Sequence, residues 1–393
     1  MTLLKTILLP LSLAVSISAL ADFSTLDNKL AIQLLQYNNT PTNTLISPYG
    51  AASMASILQN GLREKDSATL LKKLGYPSSA ALNKSYQDSL AAITSSANNS
   101  SNVLYTANSA WIQQGNDFNF DFKNTMRQFY QAQFFITDFA KHPEDAKKKI
   151  NNWISNSTRK FIPQFFTPAD DVRTMILALL NTTYFQGVWL HPFDKEANTQ
   201  AYFYTSPQQK YQTTFMHDSE HYDYYYKDKQ IQLIELPYRS TISFFLVLPN
   251  PHTSLNAVIK NLTPKKLSTW EQALFSNSDQ SRRMIQLSLP KFEFENLLDL
   301  KDPLAKLGYI SKSNLYPDMT QRPAILSSLQ QKAKILLNEE GTIAAQVTIS
   351  SLIGMAAPSA PVILNFNRPF LFFIQDTNTH AILFIGTVYQ PKV

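Results

Sequence analysis

The segment from Gly341 to Asn367 carries no charged residue, and this constrains the fold more than any other stretch of the chain. A charge-free segment of this length is long enough to cross a membrane as a helix. Polar residues and prolines within it argue against a membrane span: Gln346, Ser350, Ser351, Gly354, Pro358 and Pro361. The sequence therefore predicts a buried β-strand followed by a loop at 350–361.

That loop is unusual because it is apolar. Leu352, Ile353 and Met355 lie within it, and no charged residue keeps it in water. An exposed apolar surface of this kind is typical of a site that another protein binds. We therefore expect the loop to be displayed as bait for a partner.

A turn precedes the charge-free segment. The apolar run 335–337 ends at Asn338, and Gly341 follows, where glycine permits a positive φ angle. The residues after Gly341 are small or β-branched, which favours an extended backbone. The pattern predicts a strand, a turn at 338–341 and a second strand.

Composition indicates one large folded domain. The chain has 393 residues, of which 44% are hydrophobic and 16% are charged, and it contains no linker or repeat. The net charge is +6, but the lysine clusters at 147–149 and 265–266 are short and lack interleaved aromatic residues. We therefore expect these clusters to be solvated surface and expect no nucleic-acid partner.

The N-terminus predicts a secretory signal peptide at residues 1–21. Lys5 precedes an apolar stretch without charge, and Ala19-Leu20-Ala21 forms a small-x-small cleavage site. We expect a folded domain at 22–393 and a secreted protein, extracellular or, in a bacterium, periplasmic. The chain has no cysteine, so disulfides and thiol chemistry are excluded. No later stretch predicts a membrane anchor.

The order of predicted elements indicates an α+β fold. Helices are predicted around Leu30, after the Ser47-Pro48 cap, at 65–74, around Met126 and around Trp153. Strands are predicted in seven further segments: 103–112, 175–185, 231–236, 242–248, 284–294, 370–374 and 381–389. Asn181 interrupts the apolar strand 175–185, so its buried amide requires hydrogen-bond partners.

One motif suggests a metal site. His217 and His221 with Glu220 match the H-x-x-E-H pattern of inverted zincins, in which a helix directs both imidazoles to one zinc ion. The flanking residues are strand-like instead, so a secreted zinc hydrolase is kept only as the enzyme alternative. No nucleophile elbow or phosphate-binding loop is present. The sequence predicts a protein that is not an enzyme and needs no cofactor or metal.

The chain resembles the serpins, the serine-protease-inhibitor family. Their hinge pattern, Glu-x-Gly-Thr/Ser-x-Ala-Ala, is met by Glu339, Gly341, Thr342, Ala344 and Ala345. Further segments resemble serpin motifs in the same order along nearly the whole chain: Ser47-Pro48, Ala107-Asn108, 150–153, Asn181 with 184–187 and Trp189, 235–238, 290–292, 366–370 and 384–388.

The resemblance implies a single-domain serpin fold. That fold has three β-sheets, called A, B and C, eight or nine helices and an exposed reactive-centre loop, here at about 341–364. It also implies a mechanism in which a serine protease, or a cysteine protease, attacks the loop and forms an acyl-enzyme. The cut loop then inserts into sheet A and traps the protease. The resemblance implies a monomer that can polymerise when its loop enters a neighbour's sheet.

The hinge residues suit insertion into a closed sheet. A buried charge would cost several kcal/mol, and no charge follows Gly341. Thr342, Ala344 and Thr348 alternate with β-branched or small residues, as in a strand that is buried on both faces. Gln346 departs from the family pattern because a long amide stands where a small residue is usual.

The resemblance also implies the position of the reactive bond. Serpin bait residues usually lie fourteen positions after the hinge glycine, which gives Met355 and a scissile bond to Ala356. Leu352, Gly354 and Ala356 remain alternative cleavage sites. The loop contains no lysine or arginine, so chymotrypsin-, elastase- or subtilisin-like proteases fit better than trypsin-like ones.

Two further departures concern the residues that control opening of the sheet. Gln331 replaces a usual histidine and Gly50 a usual serine, in a buried polar cluster expected to include Ser47, Asn181 and Lys291. We expect both replacements to weaken that cluster. With Gln346, they support the alternative of a non-inhibitory serpin that acts as a binding protein or as a protease substrate.

Overall fold

The structure of the protein is a computed structural model that describes residues 12–98, 101–219, 222–275, 282–342 and 361–392. Within these residues there are nine α-helices: α1 (Ser12–Tyr37), α2 (Pro48–Asn60), α3 (Glu64–Leu74), α4 (Ser79–Ala97), α5 (Phe120–Tyr130), α6 (Pro143–Ser157), α7 (Leu255–Lys260), α8 (Pro264–Phe275) and α9 (Lys301–Leu307). A short 3₁₀ helix spans Lys195–Ala197.

Sixteen strands accompany these helices in the described residues. They are β1 (Thr44–Ile46), β2 (Val103–Gln113), β3 (Gln133–Thr137), β4 (Leu177–Val188), β5 (Thr199–Ser206), β6 (Gln209–Asp218), β7 (Tyr222–Lys227), β8 (Ile231–Pro237), β9 (Ile242–Pro249), β10 (Arg282–Pro290), β11 (Phe292–Asp299), β12 (Leu326–Asn338), β13 (Gly341–Thr342), β14 (Val362–Asn365), β15 (Phe370–Asp376) and β16 (Ile382–Val388).

The helix that was predicted after Ser47 shows how local signals fix an element. Ser47 adopts an extended backbone and its Oγ accepts a hydrogen bond from the Gly50 backbone N–H at 3.2 Å, as expected for an N-cap. Pro48 occupies the first helical turn, and the helix ends before Gly61. Nearly all of α2 is buried, so it forms the centre of the molecule.

The structure differs from the sequence-based prediction in several elements. It contains four helices and four strands that were not predicted: α4, α7, α8, α9, β1, β3, β5 and β14. The helix α4 was not predicted, because serine and alanine fill many of its positions and blur the apolar periodicity. The strand predicted at 284–294 is two strands, β10 and β11, which separate at Lys291 and pair in different sheets. The Lys291 backbone N–H donates to the Thr214 carbonyl at 3.0 Å, which marks the crossing point.

A six-stranded sheet has the order β11-β12-β13-β4-β2-β3. Its two central long strands, β12 and β4, are parallel and pair directly only from Leu326 to Ala333 on β12. At the other end, the two-residue strand β13 lies between them and runs antiparallel to both. The strands β12 and β4 are therefore paired directly at one end of the sheet and separated by β13 at the other.

The remaining strands form a continuous ladder that divides into two sheets. One contains β1, β16, β15, β9, β8 and β7, and the other contains β5, β6, β10 and β14. A short pairing of β7 with β10 links them. The molecule thus has the three sheets, the single α+β domain and the helix number that the resemblance implies. The reactive loop lies mostly outside the described residues.

Both faces of the six-stranded sheet are covered near its centre. One face packs, together with α2, on the larger hydrophobic cluster, which includes Leu30, Leu177 and Leu337 and is called the main core below. The opposite face is covered by α6 and the residues that follow it. Trp111, Ala178 and Leu180 point to the side of α6, whereas Leu177 and Leu179 point to the main core. No helix in the described residues is long and apolar enough to span a membrane.

Candidate functional site

The predicted hinge enters the six-stranded sheet at β13. Gly341 pairs with Val188 of β4 and with Asn338 of β12, while Thr342 pairs with Gly187 and Leu337. Thr342 is buried, so the chain has already begun to insert between the two long strands.

Glycine is required at position 341. Its φ angle is +145°, and a Cβ atom there would lie 1.9 Å from the Gly187 carbonyl oxygen. Asn338 shapes the preceding turn, because its Oδ1 accepts hydrogen bonds from the backbone N–H groups of Glu340 at 3.0 Å and Gly341 at 3.2 Å. The turn predicted at 338–341 is thus confirmed.

Two aromatic residues hold the inserted hinge. Trp189 stacks on Tyr238 at 4.3 Å between ring centroids, and the Tyr238 and Thr342 hydroxyls are 2.5 Å apart. The Trp189 indole N–H donates to the Asn338 carbonyl at 3.0 Å. Burial raises the pKa of Tyr238 well above its ordinary value, so its hydroxyl remains protonated.

Glu339 anchors the start of the hinge by charge. Its Oε1 accepts hydrogen bonds from Lys291 Nζ at 2.9 Å and from Asn198 Nδ2, and Glu340 pairs with Lys195. Burial opposes ionisation of Glu339, but the bonds from Asn198 and Lys291 outweigh it and hold its pKa below the ordinary value. The carboxylate is therefore ionised at neutral pH.

The structure places Lys291 at this hinge anchor. The prediction that Lys291 belongs to the cluster with Ser47 and Asn181 is therefore wrong. Lys291 stands at the junction of β10 and β11, and its ammonium group reaches Glu339 instead.

A second cluster lies where β12 and β4 are still paired. Gln331 of β12 is fully buried; its Nε2 donates to the Ser47 carbonyl at 2.8 Å and to Asn181 Oδ1 at 3.1 Å. Its Oε1 accepts a hydrogen bond from the Ser47 backbone N–H at 2.9 Å. Asn181 in turn donates to Asn108 Oδ1 at 2.9 Å, which satisfies the amide that the sequence required to be paired.

Gly50 makes room for this network. A Cβ atom at position 50 would lie 2.1 Å from Asn181 Oδ1 and 2.6 Å from Gln331 Nε2. The two departures from the family pattern therefore compensate each other, because the long amide of Gln331 fills the space that Gly50 leaves. Gln331 uses both its donor and its acceptor group here, so the cluster is hydrogen-bonded with both replacements in place.

An unpaired gap separates the two clusters. The last direct pair of β12 with β4 is Ala333 with Thr183, and the next pairings are those of Leu337 and Gly187 with Thr342. Residues 334–336 and 184–186 thus face each other without direct pairing. The gap continues the path that β13 has begun.

The roles of five residues of the site were not predicted from the sequence: Asn108, Trp189, Lys195, Asn198 and Tyr238. Trp189, Tyr238 and Asn108 were each within motifs that resemble the family, but their roles depend on contacts with distant parts of the chain. The remaining predicted residues, Ala344, Ala345, Gln346, Met355 and Ala356, lie outside the described residues.

The histidine motif lies partly outside the described residues, because Glu220 and His221 are not among them. His217 lies on β6, and its ring nitrogens contact the hydroxyls of Thr199 at 2.7 Å and Ser288 at 3.0 Å. Burial lowers the pKa of His217. The described residues contain no group of three potential metal ligands.

Comparisons with known proteins agree with this geometry. The family model described as "Serpin (serine protease inhibitor)" matches residues 25–391. The chain is 29% identical to Iripin-2 from Ixodes ricinus over 374 residues, covering 92% of each protein. It is also 29% identical to the human leukocyte elastase inhibitor over 385 residues, covering 94% of this chain and 99% of that protein.

Solved structures give the same architecture. Human thyroxine-binding globulin in complex with its hormone superposes with a TM-score of 0.81 at 22% identity, over 95% of this chain and all of that one. The family match spans both clusters and the described part of the hinge. The chain belongs to the serpin family.

Proposed function

We propose that the protein is a secreted inhibitor of serine proteases of the chymotrypsin, elastase or subtilisin type. It acts as a suicide substrate whose reactive loop is cut, remains bound to the protease as an acyl-enzyme and inserts into the six-stranded sheet. A protein with this role is not itself an enzyme and needs no cofactor. The observation that carries the proposal is the position of β13 between β12 and β4.

The register of β13 extends naturally into the sheet. Gly341 pairs with Val188 and Thr342 with Gly187. On continued insertion in this register, each further residue would lie one position further back along β4. Continued insertion would bring Thr348 between Asn181 and Gln331, at the hydrogen bond that now joins them. A threonine hydroxyl both donates and accepts, so Thr348 would bridge the two amides after the strands separate.

The same register assigns a position to Gln346. Its side chain would enter the main core between Ala333 and Thr183, the last pair before the gap. Ala333 leaves space beside a long side chain, and the Thr183 hydroxyl offers a hydrogen-bond partner for the amide. Insertion past Gln346 is therefore feasible, although slower than past an alanine.

The proposed reaction at the loop forms an acyl-enzyme that traps the protease. The protease serine attacks the carbonyl carbon of Met355, the bond to Ala356 breaks, and the new amine at Ala356 leaves. Insertion then pulls the ester-linked protease across the molecule and distorts its oxyanion hole, so water does not complete hydrolysis. The uncharged loop suits proteases with apolar specificity pockets, and the relationship to the human leukocyte elastase inhibitor supports that choice.

Secretion is part of the proposal. The signal peptide proposed at residues 1–21 would be removed before Asp22, within α1, and leave the remainder of that helix in the folded protein. The apolar residues of the remainder, including Phe23 and Leu30, are buried in the main core. The absence of cysteine is compatible with an oxidising compartment.

The test is incubation with chymotrypsin and with elastase, analysed on a denaturing gel and by mass spectrometry. We expect a complex that survives denaturant at about the summed mass and a released peptide that begins at Ala356. A Met355→Asp variant, which places a charge in the bait position, should lose the complex. Complete cleavage of the wild-type chain without any complex would contradict inhibition.

A second candidate is a non-inhibitory serpin that carries a ligand. A cavity of about 330 Å³ beside α8 favours it, lined by Glu271 and Phe275 of that helix and by Gln375 of β15. Burial raises the pKa of Glu271 to about 7, against the smaller opposing effect of the hydrogen bond from Gln375, and its Oε2 lies 3.9 Å from His380 Nδ1. Under this candidate, the same incubation gives cleavage without a complex.

A further inference from the structure

The strand β3 forms an unprotected edge of the six-stranded sheet. It pairs in parallel with β2, from Ser109 with Gln133 to Gln113 with Thr137, and no described strand pairs with its other side. Edge strands usually carry lysine, proline or a bulge that prevents further pairing. The sequence of β3, Gln-Phe-Phe-Ile-Thr, contains none of these and no charge.

The exposed side chains of β3 also favour pairing with a further strand. Ile136 is 46% exposed, although aliphatic side chains are usually buried, and Gln133 is also exposed. Aromatic and β-branched residues favour pairing with an added strand. The edge therefore has both the backbone groups and the side chains that an incoming strand needs.

Two cavities flank this edge, one beside α6 and the other beside the end of α5. A cavity of about 640 Å³ lies between β3 and α6, with Ile136, Lys149 and Asn156 in its walls. A second, of about 410 Å³, lies beside the end of α5 and is lined by Arg127 and Phe134. Both are also lined by Gln133 and Phe135, so they meet at β3. A strand added to β3 would direct alternate side chains into the two cavities.

Each cavity contains one cationic side chain and no acidic one. Arg127 lies over the Phe134 ring, with its guanidinium carbon 5.8 Å from the ring centroid. Among the described residues, neither Arg127 nor Lys149 forms an ion pair. The neighbouring Lys147 differs, because it pairs with Glu144 at 2.9 Å and is buried. The two cavities therefore favour negatively charged side chains.

We propose that the free edge of β3 binds an extended acidic segment of a partner protein, which adds to the sheet as a further strand. Main-chain hydrogen bonds to β3 supply affinity, and acidic side chains on opposite faces of the added strand pair with Lys149 and Arg127. The proposal does not depend on protease inhibition.

A second copy of this chain fits the edge less well. Its reactive loop is the obvious donor of an extended segment, but residues 341–367 carry no charge and cannot pair with either cation. The charge pattern of the two cavities therefore favours a different protein as the partner.

The test uses a fluorescein-labelled octapeptide, Thr-Val-Glu-Val-Val-Glu-Val-Thr, with blocked ends. Its two glutamates lie three residues apart and so face opposite sides of a strand. We expect saturable binding by fluorescence anisotropy and slowed hydrogen exchange at the amides of 133–137. A peptide of the same charge with prolines in place of three valines cannot pair and should bind at least tenfold more weakly.

Charge-reversal variants test the two cations. We expect Lys149→Glu and Arg127→Glu each to weaken binding of the acidic peptide by about 3- to 10-fold, because each replaces attraction by repulsion at an exposed site. Lys148→Glu is the matched control: it is an exposed neighbour on α6 that lines neither cavity. It should change binding less than twofold.

Three outcomes would overturn the proposal. The first is no binding of the acidic peptide at concentrations up to about 1 mM. The second is equal binding of the proline peptide, which would indicate charge attraction without strand pairing. The third is an uncharged peptide of residues 343–350 that protects 133–137 as tightly as the acidic one, which would assign the edge to a second copy. Loss of protease trapping would leave all three measurements unaffected.

Discussion

At the scale of single residues, Gly50 and Gln331 form a complementary pair. We expect Gly50→Ser to lower the Tm, since a Cβ atom would overlap Asn181 and Gln331, which are buried and hydrogen-bonded. Overpacking of this kind costs about 1–3 kcal/mol. The double variant Gly50→Ser/Gln331→His, which carries the residues usual in the family, should recover most of the loss. Thermal unfolding followed by circular dichroism measures both effects.

The double-mutant cycle decides whether the pair is coupled. Residues that share a hydrogen-bond network commonly show interaction energies of about 0.5–3 kcal/mol. If the two single effects simply add, Gly50 and Gln331 are independent and the compensation described above is wrong.

Asp27 predicts an effect of pH on stability. It is fully buried on α1, and neither carboxylate oxygen has a hydrogen-bond partner; the nearby Ile382 backbone N–H donates to Asn28 Oδ1 at 3.1 Å. Burial raises the pKa of Asp27 well above its ordinary value, with a smaller opposing contribution from the Ile382 N–H. Folding therefore favours the neutral carboxyl group.

The direction of this pH effect follows from the difference between the pKa of Asp27 in the folded chain and in the unfolded chain. The stability contributed by neutral Asp27 is full below the pKa of the unfolded chain, about 3.9, and is lost as pH rises toward the folded value. We expect Asp27→Asn to raise the Tm at pH 8 by more than it does at pH 4.5. Asp66→Asn, at an exposed carboxyl on α3, is the control and should show the same difference at both pH values. An equal effect of Asp27→Asn at both pH values would contradict the prediction.

At the scale of elements, β13 is the part that insertion depends on. We expect Thr342→Arg to turn an inhibitor into a substrate, because an arginine cannot be buried against Trp189 and Tyr238 without a partner for its charge. The measured quantity is the number of inhibitor molecules cut per protease molecule trapped, which should rise at least tenfold. Thr342→Ser keeps the hydroxyl next to Tyr238 and should change it less than threefold. An unchanged ratio in the arginine variant would argue against entry at β13.

At the scale of the whole molecule, cleavage of the loop should stabilise the protein. Inserting a strand that carries Ile343, Val347 and Ile349 buries three large apolar side chains, worth about 5–9 kcal/mol before entropy is subtracted. We expect the Tm after cleavage at Met355 to rise by more than about 15 °C. Differential scanning calorimetry of cut and uncut protein measures the change, and no rise would mean that the sheet does not accept the loop.

Sequence reasoning predicted what depends on neighbouring residues. The cap at Ser47, the turn at 338–341 and the apolar strands at 175–185, 231–236 and 242–248 each have local causes, and the structure contains them. The helix α4 was missed because its serines and alanines give weak periodicity.

Contacts between distant residues could not be predicted in the same way. Gln331 is hydrogen-bonded to Ser47 although 284 positions separate them, and the space that Gly50 leaves is visible only when both strands are placed. The position of the Lys291 side chain depends on the sheets that the two halves of 284–294 join, and the sequence did not indicate these. The sequence was enough to identify most residues of the site, but their hydrogen-bond partners could be identified only in the folded structure.

The parallel pairing of β12 with β4 has a consequence for energy storage. A strand entering from β13 runs opposite to both neighbours, so one parallel ladder is exchanged for two antiparallel ones. Antiparallel pairing is slightly more stable per residue. Part of the free energy released on loop insertion therefore comes from the direction of backbone pairing rather than from side-chain packing. Substitutions that repack the core would leave that part unchanged.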